Sequence, residues 1–309
     1  MNPQTIVLTG ASGFLGSHLA QELAANGFRV IALVRSKSDL WRCNEFEGGK
    51  LVFLNGDAKD CRSSLQKYKP SILIHSSWQG VAPAEREDAD IQARNIQYTT
   101  WLLNLARELN IKKIIAFGSQ AEYGYFDGRI NEEAVCNPVS AYGNAKFTAL
   151  GALRSFCEDH SVNWFWIRLF SIYGTRENRE WLFPSVIINA RNNFPMDLTK
   201  CEQKYDYLYV KDFCRAMIKM LETECASGIF NLTSNSSTQL KGMIETIRNM
   251  VNPDAVLNFG ALPYRQNQVM QMEGDSSKFN KQFSFKIKST FEDNIRQVVN
   301  YYLNKPSGN

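Results

Sequence analysis

The sequence predicts an α/β chain, a doubly wound parallel sheet with a smaller C-terminal α/β lobe. Three observations carry this. Short runs rich in Val, Ile, Leu and Phe recur through the first half of the chain. Segments with apolar residues at helical spacing lie between most of them. The runs are continuously apolar rather than alternating, as in strands covered by helices on both faces.

TIVLTG (residues 5–10) reads as the first strand, and SHLAQELAANG (17–27) as a helix closed by Asn26 and Gly27. RVIALVR, KLVFLNGD and SILIH are the next three strands. A long helix spans about 85–108, followed by the strand KKIIAFGS, a second long helix over about 139–159 and the strand NWFWIRLF. Past residue 171 the pattern loosens, returning to regularity in YDYLYVKDFCRAMIKMLE (205–222). Residues 1–171 plus about 204–231 are therefore expected to form the sheet domain, and 172–203 plus 232–309 the lobe.

The 309 residues are 44% hydrophobic, enough for a large core. Thirty-five Lys and Arg against 31 Asp and Glu give a net charge of +4, too mild to call for a nucleic-acid partner. Seven cysteines without CxxC or Cys/His ligand spacing argue against a disulfide framework or a zinc site and suggest reduced thiols in the cytoplasm. No basic leader and no run of about 18 apolar residues points to export or to the membrane.

The first strand runs into TGASGFLG, with Gly10, Gly13 and Gly16 flanking Phe14 and Leu15 at the start of a helix. Glycines there let the backbone turn tightly and approach a pyrophosphate, which the helix N-terminus favours. This makes the sheet a Rossmann-type dinucleotide binder. An acidic residue beyond the second strand would favour NAD, and an arginine the 2′-phosphate of NADP. Arg35 and Lys37 stand there, which points to NADP(H), while Asp39 a few residues on leaves NAD open. Asp57, followed by Ala58, closes the third strand where a carboxylate could accept from the adenine amino group, or could be a plain turn residue.

TGASGFLG, NGD, IHSSW, FGSQAEYG, AYGNAK and RLFSIYG resemble, in order and spacing, the motifs of the extended short-chain dehydrogenase/reductases, the NAD-dependent epimerase/dehydratase family. The likeness covers almost the whole chain. It implies that Ser119, Tyr142 and Lys146 are the catalytic set, with Lys146 also holding the nicotinamide ribose. It implies that His75, Ser76 and Ser77 bring backbone to the cofactor, that Asn95 buttresses the site, and that Trp78, Gln120, Ser171 and Arg265 meet the substrate. The i to i+4 spacing gives Tyr142 and Lys146 independent sense, since it puts a cation on the helix face of a phenol whose ordinary pKa is near 10. The His75 imidazole is expected to be structural.

Relatives of this length mostly act on nucleoside-diphosphate sugars, and FGALPYRQNQVM resembles 4-keto-6-deoxy-sugar reductases that make deoxyhexoses for surface polysaccharide. Arg265 would clamp the diphosphate. The chain departs from the family pattern at Tyr205 and Ser171, positions that usually touch the nucleotide sugar. The dehydratase Asp-Glu pair is replaced by Gln120 and Ala121, neither able to act as acid or base. Two reactions remain, 4-ketoreduction with NADPH or 4-epimerisation with tightly held NAD, and Arg35 favours the first. The resemblance further implies a homodimer paired through the two long helices.

Overall fold

A computed structural model describes residues 4–44, 50–265 and 268–304. From the N-terminus come β1 (Thr5–Thr9), α1 (Phe14–Ala25), β2 (Arg29–Val34), β3 (Leu51–Asn55), α2 (Cys61–Lys67) and β4 (Ile72–His75). The long helix α3 (Ala89–Glu108), β5 (Lys113–Ser119), the short β6 (Gly128–Ile130), the second long helix α4 (Ala141–Asp159) and β7 (Asn163–Leu169) complete the first half. Then follow β8 (Ser171–Tyr173), α5 (Leu182–Arg191), β9 (Met196–Leu198), β10 (Lys204–Tyr209), α6 (Val210–Leu221) and β11 (Gly228–Leu232). The chain closes through β12 (Ser237–Gln239), α7 (Leu240–Val251), β13 (Leu257–Phe259), β14 (Gln271–Gly274), α8 (Ser277–Phe283) and α9 (Phe291–Asn304).

Seven strands form one parallel sheet in the order β11-β7-β5-β4-β1-β2-β3. Continuous apolar strands are explained by two cores. Ile6 and Leu8 of β1 point into the core shared with Leu19 and Leu23 of α1 and Phe213 and Met217 of α6. Val7 points the other way, against Leu102 and Leu105 of α3 and Leu150 and Leu153 of α4. The strand order reverses between β1 and β4, and the ligand crevice of an open α/β sheet lies at such a point.

The long helices start later than their apolar spacing suggests, because caps fix them. The Asp88 carboxylate accepts from the Ile91 N–H at 2.9 Å and the Ser140 hydroxyl from the Gly143 N–H at 3.0 Å.

One expectation needs correcting. Residues 204–209 were expected in the parallel sheet, but β10 pairs with β8, β12 and β14 in a smaller sheet that β6 extends beyond β14. The run KYDYLY carries Lys204 and Asp206 among its tyrosines and so is not a continuous apolar run like the strands of the large sheet. It is β11 that returns to the large sheet, and α6 that packs on α1. Among the described residues all seven cysteines are free thiols, and no helix is long and apolar enough to cross a membrane.

Candidate active site

At the crevice, Gly10 has φ +76°, and a Cβ on it would lie 2.7 Å from the Ser77 nitrogen at the end of β4. A Cβ on Gly16 would sit 2.0 Å from the Gly10 carbonyl oxygen. These two glycines are therefore demanded by close backbone packing before any ligand is considered. Gly13 is the N-cap of α1 and has no side chain to cap it, and the first turn carries no acidic residue. The unbonded N–H groups of that turn belong to Phe14, Leu15 and Gly16, which with Gly10 and Gly13 line a cavity of 470 Å³. A helix start without a side-chain cap or nearby acid suits a phosphate, so the chain fits the pyrophosphate of a dinucleotide.

Around the second strand the expected residues are dispersed. Arg35 is exposed and outside the cavity lining, its N–H donating to the Ser38 hydroxyl at 3.0 Å. The Asp57 carboxylate accepts from the Ser36 N–H at 2.9 Å and hydroxyl at 3.1 Å, and so joins the ends of β2 and β3, while the Ala58 N–H bonds the Asn55 carbonyl. Arg42, which no motif singled out, does line the cavity. Its Nε donates to the Arg176 carbonyl at 2.8 Å and its Nη1 to the Ser12 carbonyl in the glycine turn at 3.4 Å. The only sequence signal for it is a cation soon after the second strand.

Behind β4, the buried His75 imidazole bonds the Thr9 hydroxyl at 2.9 Å and that of Thr99 at 3.2 Å, and burial, with Lys146 nearby, holds its pKa down to about 3. Ser76 lines the cavity; the Ser77 N–H donates to the Thr9 hydroxyl. Asn95 clamps the next loop by accepting from the Gln79 N–H at 3.0 Å and donating to its carbonyl at 2.9 Å. Trp78 is held by its indole N–H on Gln92 Oε1 at 3.0 Å and meets the Tyr142 ring edge-on at 6.3 Å.

Ser119 ends β5 and caps a single 3-10 turn that carries Gln120, and it meets Tyr142 and Lys146 of α4 in the same cavity. The Ser119 hydroxyl accepts from the Ala121 N–H at 3.2 Å and lies close enough to the Tyr142 phenol to favour its ionised form. Burial pushes that phenol above its ordinary value, opposed by the nearby Ser119 hydroxyl and by the Arg86 guanidinium, 5.2 Å over the ring. Lys146 does not supply the expected pull on Tyr142. Its Nζ donates to the Phe117 carbonyl at 2.7 Å and lies 3.7 Å over the Trp78 ring but 5.9 Å from the Tyr142 centroid. Burial drives this ammonium down to about 7, against the pull of Glu122.

Glu122 shares no wall of the cavity, yet it supports Ser119 from behind. Its wholly buried carboxylate accepts from the Ser119 N–H at 2.7 Å, the Trp166 indole at 3.0 and 3.1 Å, and the Arg168 Nε at 2.8 Å. On the lobe side Ser171 lines the cavity, whereas Arg265 is exposed and outside the lining. Tyr205 turns its hydroxyl to the Val269 carbonyl at 2.9 Å, near Arg265.

Among known proteins, the chain is 25% identical over 307 residues to CDP-abequose synthase of Salmonella muenchen, covering 95% of this chain and 96% of that protein. It is 27% identical over 279 residues to dTDP-6-deoxy-L-talose 4-dehydrogenase (NAD(+)) of Aggregatibacter actinomycetemcomitans, covering 87% and 98%. Among solved structures, UDP-N-acetylglucosamine 4-epimerase of Methanobrevibacter ruminantium, in complex with UDP-N-acetylmuramic acid, superposes with a TM-score of 0.87 at 23% identity over 98% of this chain and 99% of that one, a likeness of fold. The model of the NAD dependent epimerase/dehydratase family matches residues 6–233, from the first strand to just past β11. That match takes in the glycine turn, Ser119, Tyr142 and Lys146, and the chain belongs to the NAD-dependent epimerase/dehydratase family.

Proposed function

We propose that this protein reduces the C4 keto group of a nucleoside-diphosphate 4-keto-6-deoxy sugar, drawing on NADPH. The observation that carries the proposal is that Ser119, Gln120, Tyr142 and Lys146 line one cavity with the glycine turn. When bound, the cofactor supplies a hydride. Tyr142 is the acid, giving its phenolic proton to the C4 oxygen, and the Ser119 hydroxyl bonds that same oxygen. A phenol held above its ordinary pKa is loaded with a proton at neutral pH, as a reduction requires. Lys146, anchored on the Phe117 carbonyl, is the group for the nicotinamide ribose hydroxyls. Gln120 replaces the acid that water elimination would need. Ser171 and Trp78 face the sugar, and Arg265 reaches the diphosphate from the lobe. Residues 1–171 with α6 and β11 hold the cofactor, while residues 172–209 and 233–304 supply the substrate side.

Arg35 is assigned to the 2′-phosphate, and Arg42 adds a second cation nearer the glycine turn. The test titrates NADPH and NADH by nicotinamide fluorescence into wild type and Arg35→Ala, then screens 4-keto sugar nucleotides for NADPH oxidation. Preference for NADPH that Arg35→Ala erases supports the reading. A C4 epimerase with retained NAD is the second reading, favoured by the exposure of Arg35 outside the cavity. Stoichiometric NAD released on denaturation would decide for it. A homodimer through α3 and α4 belongs to the same proposal, because Trp101 (40% exposed) and Phe147 (43%) show large apolar surface there. Sedimentation as a monomer at micromolar concentration would refute it.

A further inference from the structure

Glu177 lies on the cavity wall, and the reaction proposed above gives it no task. It follows the turn after β8, and its side chain is 8% exposed. Among the described residues its carboxylate receives one hydrogen bond, from the Gly174 N–H at a long 3.4 Å. The segment packs toward the start of α1, since a Cβ on Gly174 would approach the Phe14 ring to 3.4 Å.

The groups that face Glu177 are tyrosines and main chain. From β10 comes Tyr207, which lines the same cavity. From α9 comes Tyr302, whose hydroxyl donates to the Glu177 carbonyl at 2.9 Å. Two guanidinium groups are near but engaged elsewhere: Arg42 bonds the Arg176 and Ser12 carbonyls, and Arg176 bonds His18, Gln21 and the Arg42 carbonyl. His18 itself, on α1, bonds the Thr175 carbonyl. Burial pushes the Glu177 carboxyl up to about 8, with the Gly174 N–H opposing.

A carboxylate with one long hydrogen bond and no bonded cation is poorly solvated, and the glycine turn that lines the same cavity is suited to a phosphate, which would repel it. The neutral acid, in contrast, is a hydrogen-bond donor. We propose that Glu177 is a binding residue that joins the dinucleotide complex as the neutral acid, donating a hydrogen bond to an acceptor oxygen of that ligand, so that binding in alkaline solution takes up one proton. This rests on the dinucleotide reading of the cavity.

The test uses the full chain and NADPH. Dissociation constants are measured by nicotinamide fluorescence between about pH 6.5 and 9.5 for wild type and Glu177→Gln, whose amide keeps a donor without the titration. Calorimetry of the wild type at about pH 9, in two buffers of different ionisation enthalpy, counts protons taken up. Expected is a wild-type affinity that falls toward tenfold per pH unit above about 8, a slope shallower by one proton in Glu177→Gln, and uptake approaching one proton. Equal slopes in the two proteins would trace the dependence to another group, Lys146 foremost, and overturn the proposal. Absence of proton uptake by the wild type would overturn it even if the variant fails to fold. No binding of NADPH or NADH to wild type at any pH would instead sink the dinucleotide reading itself.

Discussion

Replacing Glu122 by methionine tests whether the buried carboxylate behind Ser119 holds the active-site turn. Methionine fills a similar volume, so the substitution removes charge and acceptors while leaving little cavity. Three donors lose their partner: the Ser119 N–H, the Trp166 indole and the Arg168 guanidinium. Arg168 is 2% exposed and, among the described residues, keeps the Cys136 sulfur at 3.0 Å and the Tyr123 ring at 4.5 Å. Leaving a buried charge without its counter-ion costs about 3–5 kcal/mol. At roughly 2 °C per kcal/mol for a large domain, the melting temperature should fall by about 6–10 °C. Adding Arg168→Met removes the orphaned charge and should recover much of that loss, because an apolar pair often replaces a buried ion pair without penalty. Thermal unfolding followed by circular dichroism reads both changes. In the single variant kcat should drop about tenfold or more as Ser119 loses its anchor. A melting temperature within about 2 °C of wild type, or a double variant less stable than the single one, would refute the reasoning.

Tyr142→Phe should lower kcat by about 10²–10⁴-fold while leaving the NADPH dissociation constant within a few-fold, and an active variant would remove Tyr142 from the acid role. Gly16→Ala should unfold the glycine turn or abolish cofactor binding, because its Cβ would meet the Gly10 oxygen at 2.0 Å. Gly151→Ala, with open space around it in α4, should instead raise stability by about 0.5–1 kcal/mol in urea melts. Lys146 has a folded pKa of about 7, below its unfolded value near 10.5, so between these pH values the unfolded chain binds more protons. Its burial penalty is therefore full below pH 7 and fades as pH rises. Urea unfolding at pH 7 and pH 9.5 should show wild type gaining on Lys146→Met with rising pH, and the opposite trend would mean that Lys146 is stabilised as the ammonium.

What the sequence made legible is what local physics decides. The glycine turn is one continuous stretch, and each of its close approaches needs a missing Cβ, so the composition of eight residues reveals it. Tyr142 and Lys146 share a helix turn, and Ser119 ends a strand, so the motif order brings the three together. The supporting role of Glu122 is not legible from its chain neighbours, because its partners Trp166 and Arg168 come from β7. Arg42 and Glu177 were missed for the same reason, since what puts them on the cavity is packing between distant segments. The misplacement of β10 has a different origin. It is followed by an amphipathic helix whose Phe213 meets Phe117 of the large sheet at 5.2 Å, so the sequence pattern of the helix does not separate the strand from that sheet.

The smaller sheet is a weave rather than an appendage. Its strands come from before, between and after the large sheet's last two members: β6 lies just past the turn that Ser119 caps, β8 and β10 lie between β7 and β11, and β14 lies near the C-terminus. Cutting the chain ahead of β14 would strip β6 of its described sheet partner and unzip β10 on one side. The smaller sheet therefore cannot be excised as a contiguous module, nor swapped between relatives at a single crossover, without disturbing the segment that follows the turn capped by Ser119. Chimeras between relatives must exchange β6 together with β14, as paired halves of one seam.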